Sequence, residues 1–211
     1  MRNTSGLSQP CCVSGGKPEG RGGKEMTAKK MVRNIEPDDP MLQYSGRIDD
    51  DDPKAPVLIY AASWVKMIFT GTSVAVTLAN HHAYWTNEMG YFLDGVQGRI
   101  RLLDDGKKKT YEIAGQLPDA RHELMLFKRM DACHTVTFYG FTVDGGADLL
   151  PPEPKPARRM EVFGDSVSCG EVSEAVDYVG KEDPVHDGQY SNSWYSYAWM
   201  TARKLGAELH D

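Results

Sequence analysis

The chain has 211 residues, 40% hydrophobic residues and a formal charge of −6, enough for one large domain or two small ones. The acidic balance argues against nucleic acid as a partner, because a phosphate-binding surface needs a concentrated excess of Lys and Arg. No stretch reaches the roughly 18 apolar residues of a membrane span, and no signal-peptide core is visible at the N-terminus. We therefore expect no membrane partner and a cytoplasmic location, or secretion if the true start differs.

The first segment, residues 1–38, is rich in Gly, Lys, Ser and Pro and almost devoid of large apolar side chains. Such a composition cannot offset the entropy lost on ordering, so it predicts a disordered tail. Cys11 and Cys12 lie in this tail, whereas Cys133 and Cys169 lie in segments that look folded. This spacing does not indicate a disulfide framework.

Residues 39–150 show short segments of period two, broken by turn residues, which is typical of an all-β domain. The segments 66–70 and 73–78 alternate around Gly71-Thr72 and predict a hairpin. Asp94-Gly95 and residues 104–106 predict two more. A change of parity at Tyr139-Gly140 indicates a β-bulge. About eight short strands without a helical pattern predict a two-sheet sandwich of the jelly-roll kind.

Residues 151–157 carry four prolines and predict a stiff linker, because proline restricts both its own backbone and that of its predecessor. Beyond it, residues 159–163 predict a strand that runs into Gly164-Asp165-Ser166. A helix is expected over residues 194–205, with Ser191 or Asn192 as its cap and a glycine at its end. Strand, loop and helix are the opening of an α/β domain over residues 158–211, and we expect its second strand to be missing.

Ser166 is the candidate nucleophile, since a hydroxyl at the carboxyl end of a parallel strand faces the crevice where α/β folds bind ligands. A serine needs a histidine within about 3 Å to accept its proton, and amide donors for the oxyanion. The backbone N–H of Ser166 can supply one donor. Gly164-Asp165-Ser166 alone is weak evidence for a catalytic serine, so the assignment depends on the surrounding sequence.

That context is a family resemblance. The run from Arg158 to Gly170 after the proline-rich linker is similar to the first conserved block of carbohydrate esterase family 2. Further similar blocks are residues 44–49, 69–73, 127–129, 140–141, 149–152, 192–198 and 201–208. The resemblance implies an N-terminal jelly-roll β-sandwich followed by the first βα unit of an SGNH-type α/β/α hydrolase domain, truncated at residue 211.

The resemblance also implies roles for individual residues. Ser166 would attack the acetyl carbonyl, and Gly164, Asp165 and Gly170 would shape its loop. Glu171-Val172 stands where the family commonly has Tyr-Gly, so the rim of the pocket is expected to differ. The family histidine and the other oxyanion donors belong to later blocks. The chain is thus expected to be inactive alone and to need the remainder of its hydrolase domain, with no metal or organic cofactor.

Two residues are weaker candidates for substrate binding. Trp85 lies in the loop 80–90 and is equally compatible with core packing, and Asn192 precedes the predicted helix. His81 and His82 are adjacent on extended backbone and point opposite ways, which favours surface residues over metal ligands. His186 lies near the expected rim, too early in the chain for the family histidine.

Three functions remain open at this stage. The first is a serine esterase that removes O-acetyl groups from xylan, mannan or glucan type polysaccharides or oligosaccharides. The second is a carbohydrate-binding jelly-roll module with a vestigial hydrolase segment. The third is a GDSL lipase or thioesterase.

Overall fold

The protein is described by a computed structural model over residues 31–211. In chain order its strands are β1 (Val32–Ile35), β2 (Gln43–Ser45), β3 (Ile48–Asp49), β4 (Val57–Leu58), β5 (Trp64–Gly71), β6 (Val74–His81), β7 (Glu88–Leu93), β8 (Val96–Arg101), β9 (Lys109–Ala114), β10 (Ala120–Lys128), β11 (Thr135–Asp144), β12 (Leu149–Leu150), β13 (Arg158–Glu161) and β14 (Ala207–His210). One α-helix, α1 (Tyr197–Leu205), precedes β14. Within residues 31–211, none of the helices has the length and apolar composition of a membrane span.

Twelve strands form two six-stranded antiparallel sheets. The first has the order β3-β4-β11-β6-β9, with β1 beside β11, and the second has the order β12-β5-β10-β7-β8, with β2 beside β5. Both contribute to one apolar core, which includes Val76 and Phe138 from the first sheet and Met67, Phe69 and Leu124 from the second. The expected β-sandwich is confirmed, and residues 31–150 are called the sandwich module below.

Two of the three predicted hairpins are wrong, because β6 and β9 pair in the sheet opposite to β5 and β8. At the first crossing, Asp144 accepts hydrogen bonds from the hydroxyls of Thr72, at 2.7 Å, and Ser73, at 2.6 Å. A turn signal marks where the chain bends, but it does not say whether the next strand stays in the same sheet.

The other local predictions in this module are confirmed. Asp94-Gly95 joins β7 to β8 in an antiparallel pair. The register of β11 against β6 shifts between Phe138 and Phe141, at the expected bulge. Gly140 has a φ of 104° there, in the region that glycine tolerates best.

The prediction of a disordered tail over residues 1–38 is wrong at its C-terminal end. Residues 32–35 form β1, which pairs antiparallel with β11. Only Ile35 is buried in this strand, so the sequence shows no alternating hydrophobic pattern from which the strand could be predicted. Residues 1–30, with Cys11 and Cys12, lie outside the described residues.

In the C-terminal segment (residues 158–211), β13 pairs with β14 in parallel and α1 lies between them in the chain. The expectation that the second strand is missing is therefore wrong, since Ala207–His210 is that strand. The helix is shorter than predicted: Asn192 caps a 3₁₀ turn at residues 193–195, and Ser196 caps α1. Gly206 ends the helix in the left-handed conformation, with a φ of 60°.

A second hydrophobic cluster joins the C-terminal segment to the sandwich module. Phe127 from β10 meets the ring of Trp199 from α1 at a centroid distance of 5.3 Å, and Phe92 meets Trp194 at 4.4 Å. Ala198 and Ala202 are fully buried in the same cluster. The helix thus packs its small residues against the outer face of the second sheet.

Candidate active site

Ser166 lies in a turn that follows β13. The β13–β14 pairing extends to Val162, whose N–H donates to the carbonyl of His210 at 2.9 Å. The chain then leaves the sheet, and the N–H of Glu171 donates to the Ser166 carbonyl at 2.9 Å. The Ser166 side chain is half-buried. The local fold therefore places the candidate nucleophile just beyond the carboxyl end of a parallel strand.

Asp165 organises this turn through its own backbone and carboxylate. Its Oδ1 accepts from the N–H of Val167 at 3.1 Å, and its carbonyl accepts from the N–H of Cys169 at 3.1 Å. The Ser168 hydroxyl donates to the same carbonyl at 2.9 Å. A short acidic side chain that bonds the backbone two residues on is a common turn device.

Two glycines in the turn stand where a side chain would collide. A Cβ on Gly164 would lie 2.6 Å from Ser168 Oγ. A Cβ on Gly170, which has a φ of 76°, would lie 2.6 Å from the Asn192 carbonyl oxygen. The Asn192 N–H in turn donates to the Gly170 carbonyl at 3.0 Å. The close approach of backbones explains the need for glycine.

Val172 adopts a left-handed conformation, with a φ of 59°. A β-branched residue is rarely found there, because its Cβ crowds the backbone. The family resemblance implies a glycine at this position, as the second residue of a Tyr-Gly pair. The local backbone conformation is one that glycine adopts more readily than valine.

Ser166 borders a cavity of about 470 Å³ whose lining comes from both parts of the chain. The C-terminal segment contributes Val162, Phe163, Gly164, Asp165, Ser166, Ser168, Cys169 and Asp211, and the sandwich module contributes Arg47, Tyr60, Ala61, Asp131, Ala132 and Cys133. No histidine of residues 31–211 is among them. Within the described chain, the cavity holds the candidate nucleophile without a histidine to act as its base.

The cavity wall at residues 131–133 is held by a buried lysine. Lys128 is fully buried, and its Nζ donates to the carbonyl of Met130 at 2.7 Å and to the carbonyl of Asp131. Burial lowers the pKa of Lys128 to about 7. Nearby, burial raises the pKa of the Cys169 thiol to about 11, which keeps this thiol neutral and unreactive near neutral pH.

Arg129 connects the end of β10 to the segment after Ser166. It is 2% exposed, its Nη2 lies 2.7 Å from Glu174 Oε2, and its Nε donates to the Ser191 carbonyl at 3.1 Å. The other carboxylate oxygen of Glu174 accepts from the Asn192 amide at 2.6 Å. A buried arginine with these partners fixes the relative position of three segments.

The two weaker substrate-binding candidates lie outside the lining of the Ser166 cavity. Asn192 is fully buried and uses its side chain to bind Glu174 and to accept from the Trp194 N–H. Trp85 is half-buried, with its ring 4.9 Å from that of Tyr84 and 4.5 Å from that of His186. The side chain of Asn192 is therefore used in contacts within the protein. Trp85 lies outside the lining of the Ser166 cavity.

The cavity wall from the sandwich module was not predicted from sequence. Arg47 falls in one of the blocks that carry the family resemblance, but nothing in its local pattern indicates a neighbour of Ser166. Asp131 lies just after the block at residues 127–129, and its local pattern likewise gives no sign that it is near Ser166. Contacts between segments far apart in the chain, such as the packing of α1 on the second sheet and the bonds of Arg129, bring these residues to the turn after β13. Among residues 31–211, no group of three or more His, Cys, Asp or Glu residues is arranged to hold a metal ion.

Comparison with known proteins shows the family of the chain. Residues 44–153 match the family model described as Carbohydrate esterase 2 N-terminal. The chain belongs to carbohydrate esterase family 2. This confirms the resemblance seen in the sequence blocks.

Three relatives illustrate the family. The chain is 31% identical over 174 residues to the cellulase/esterase CelE of Acetivibrio thermocellus, covering 82% of this chain and 20% of that protein. It is 27% identical over 179 residues to an acetylxylan esterase / glucomannan deacetylase of Cellvibrio japonicus, covering 84% and 48%. A family two carbohydrate esterase from Clostridium thermocellum, solved in complex with cellohexaose, aligns with a TM-score of 0.70 and 29% identity, covering 80% and 50%. The chain thus spans half or less of the length of each.

Proposed function

We propose that the protein to which this chain belongs removes O-acetyl groups from plant polysaccharides or oligosaccharides of the xylan, mannan or glucan type. Membership of carbohydrate esterase family 2 supports this proposal, as do the esterase names of the two curated relatives. The observation that carries it to this chain is the position of Ser166, beyond the end of β13 and on a cavity of about 470 Å³. A cavity of this size suits a small organic ligand.

The proposed chemistry proceeds through an acetyl-serine. The Ser166 oxygen attacks the acetyl carbonyl carbon while a histidine accepts the serine proton. The bond between the acetyl carbon and the sugar oxygen breaks, and the histidine returns the proton to the departing sugar hydroxyl. Water then cleaves the acetyl-serine, releases acetate and restores Ser166. The Ser166 N–H stabilises the oxyanion in both steps.

The base and the remaining oxyanion donors are proposed to come from outside residues 31–211. Two observations support this: no histidine of those residues lines the cavity, and the chain spans about half of its second curated relative. In this proposal, β13, α1 and β14 are the first βαβ unit of an SGNH-type hydrolase domain. Residues 31–211 alone are then expected to hydrolyse no acetyl ester.

The experiment uses the protein encoded by the complete open reading frame that contains this chain. Acetate release from acetylated xylan and hydrolysis of 4-nitrophenyl acetate are measured for the wild type and for Ser166→Ala. We expect a loss on the order of 10³-fold or more, since the nucleophile is removed. Ser173→Ala is the matched control, because its hydroxyl donates to the Asn192 carbonyl at 2.9 Å and does not line the cavity.

Other outcomes separate the rival functions. A preference for longer acyl chains over acetylated sugars would favour a lipase or thioesterase. Retention of glycan without turnover would favour a binding module with a vestigial hydrolase segment. Activity that survives Ser166→Ala would contradict the proposed nucleophile.

A further inference from the structure

Arg47 presents an oriented guanidinium to the Ser166 cavity from the sandwich module. Its guanidinium carbon lies 4.6 Å from the ring centroid of Phe163 and 5.8 Å from that of Tyr60. Its Nη2 lies 3.8 Å from Glu161 Oε1, which is too far for a hydrogen bond. Ring contacts on its face and the nearby carboxyl groups of Glu161 and Asp211 hold the group in place without a hydrogen bond to its N–H groups.

Those N–H groups have no hydrogen-bond acceptor within residues 31–211, although Arg47 lines the cavity and its side chain is 30% exposed. A guanidinium offers five donors in a fixed plane and is suited to bind oxygens in pairs. The donors are therefore positioned for an acceptor that enters the cavity.

The charge of the cavity lining indicates the class of that acceptor. Arg47 is the only cationic residue that lines the cavity within the described chain, where Asp131, Asp165 and Asp211 supply three carboxyl groups. This excess of acidic groups repels a uronic acid and favours a neutral sugar, whose hydroxyls both donate and accept.

We propose that Arg47 donates hydrogen bonds to hydroxyl oxygens of the neutral sugar whose acetyl group Ser166 removes. The sandwich module then supplies a sugar-binding wall of the active site. Arg47 is a specificity-determining residue that does not touch the reacting carbonyl. This inference rests on the proposed esterase function and extends it to the substrate.

The test compares two substrates on the protein from the complete open reading frame. Arg47→Met retains an apolar stem against Phe163 and removes the donors. We expect kcat/KM for an acetylated neutral xylo-oligosaccharide to fall by about tenfold or more, mainly through KM, because charge-assisted hydrogen bonds are lost. With 4-nitrophenyl acetate, which has no sugar, the loss of kcat/KM should be smaller by about fivefold or more. A purely structural role would reduce kcat/KM for both substrates equally.

Two further variants sharpen the result. Arg47→Lys keeps a charge and a stem but lacks the planar fork, so it should recover part of the affinity and guards against a folding defect in Arg47→Met. Arg121→Met is the matched control, because Arg121 is exposed on β10 and does not line the cavity. This variant should leave kcat/KM unchanged for both substrates.

Equal losses on both substrates, or no loss on the oligosaccharide, would overturn the role of Arg47. Better turnover of a uronic-acid-bearing oligosaccharide than of the neutral one would overturn the choice of sugar. Calorimetric binding of the acetylated oligosaccharide to Ser166→Ala, with and without Arg47→Met, tests the sugar contact without turnover. It thus separates failure of this inference from failure of the esterase proposal.

Discussion

The Ser45 hydroxyl donates a 2.8 Å hydrogen bond to Oε1 of Glu208, across the boundary between β2 and β14. The ammonium of Lys155, in the proline-rich linker, donates to the same oxygen at 2.7 Å. The Glu208 side chain is only 2% exposed. One buried carboxylate therefore joins the sandwich module, the linker and the parallel strand pair.

Replacement of Glu208 by glutamine is expected to lower the free energy of unfolding by about 1 to 3 kcal/mol at neutral pH, because Lys155 loses a charged partner and the hydrogen bonds weaken. Burial raises the pKa of Glu208, but the bonds from Lys155 and Ser45 outweigh it and hold this pKa below its ordinary value of 4.5. A carboxyl group with a depressed folded pKa stabilises the fold above its unfolded pKa, and this contribution is lost as the pH falls through the folded pKa.

Urea denaturation of the wild type and Glu208→Gln between neutral and acidic pH measures this effect. The difference between the two proteins should shrink in acid. Glu182→Gln, at an exposed position, serves as the control and should show no such trend. A difference that is independent of pH would show that the charge of Glu208 does not matter.

Val172→Gly is expected to stabilise the protein, in contrast to most valine truncations. Relief of the left-handed strain at a φ of 59° is worth roughly 1 to 3 kcal/mol, and the added backbone freedom costs about 0.5 to 1 kcal/mol. A net gain of about 1 kcal/mol should therefore appear in urea denaturation. Val185→Gly is the control, since Val185 is 98% exposed and is not among the residues of positive φ. Val185→Gly should leave the free energy of unfolding unchanged or lower it. An equal decrease for Val172→Gly would contradict the proposed backbone strain at Val172.

His122 is expected to stabilise the fold in its protonated form. Its Nδ1 lies 2.7 Å from Asp94 Oδ2 and its Nε2 lies 2.8 Å from the Pro118 carbonyl, so both ring nitrogens face acceptors. Burial opposes the charge, but these two partners prevail and raise the pKa of His122 above 6.5. The stabilisation is thus complete below the unfolded pKa and is lost as the pH rises through the folded pKa.

The measurement is the unfolding free energy of the wild type and His122→Gln at about pH 6 and about pH 8.5. The advantage of the wild type should decrease over this interval. His81→Gln, on an exposed residue at the end of β6, should show no comparable change. A wild-type advantage that increases with pH would contradict the protonated form.

Lys128 should give a pH dependence of the opposite sign. Because burial lowers its folded pKa from 10.5 to about 7, the unfolded chain binds more protons between these values. The contribution of Lys128 to the unfolding free energy therefore rises with pH across this window, whereas below it the full cost of burying the charge remains.

Comparison of the wild type with Lys128→Met from about pH 6.5 to about pH 9.5 isolates this contribution. The wild type should gain stability relative to the variant as the pH rises. Lys107→Met, at an exposed turn, should track the wild type throughout. A flat difference would show that Lys128 keeps its proton in the folded state through its carbonyl partners.

The sequence predicted what is local. Asp94-Gly95, the bulge at Gly140 and the turn that presents Ser166 depend on residues close together in the chain, and the first two are confirmed. The positions of β6 and β9 depend on which sheet a strand joins after a turn, which is decided by packing between distant segments. The contacts of residues 127–129 could not be predicted for the same reason. Phe127 packs on α1, Lys128 holds a loop and Arg129 binds Glu174, yet none of these partners is near it in sequence.

The contact between Phe127 and Trp199 has a practical consequence for anyone who exchanges modules among members of this family. A cut in the proline-rich linker would separate α1 from the second sheet and expose the rings of Phe127 and Trp199, which are buried in the intact chain. A transplantable unit must therefore carry the sandwich together with at least the first helix that follows it.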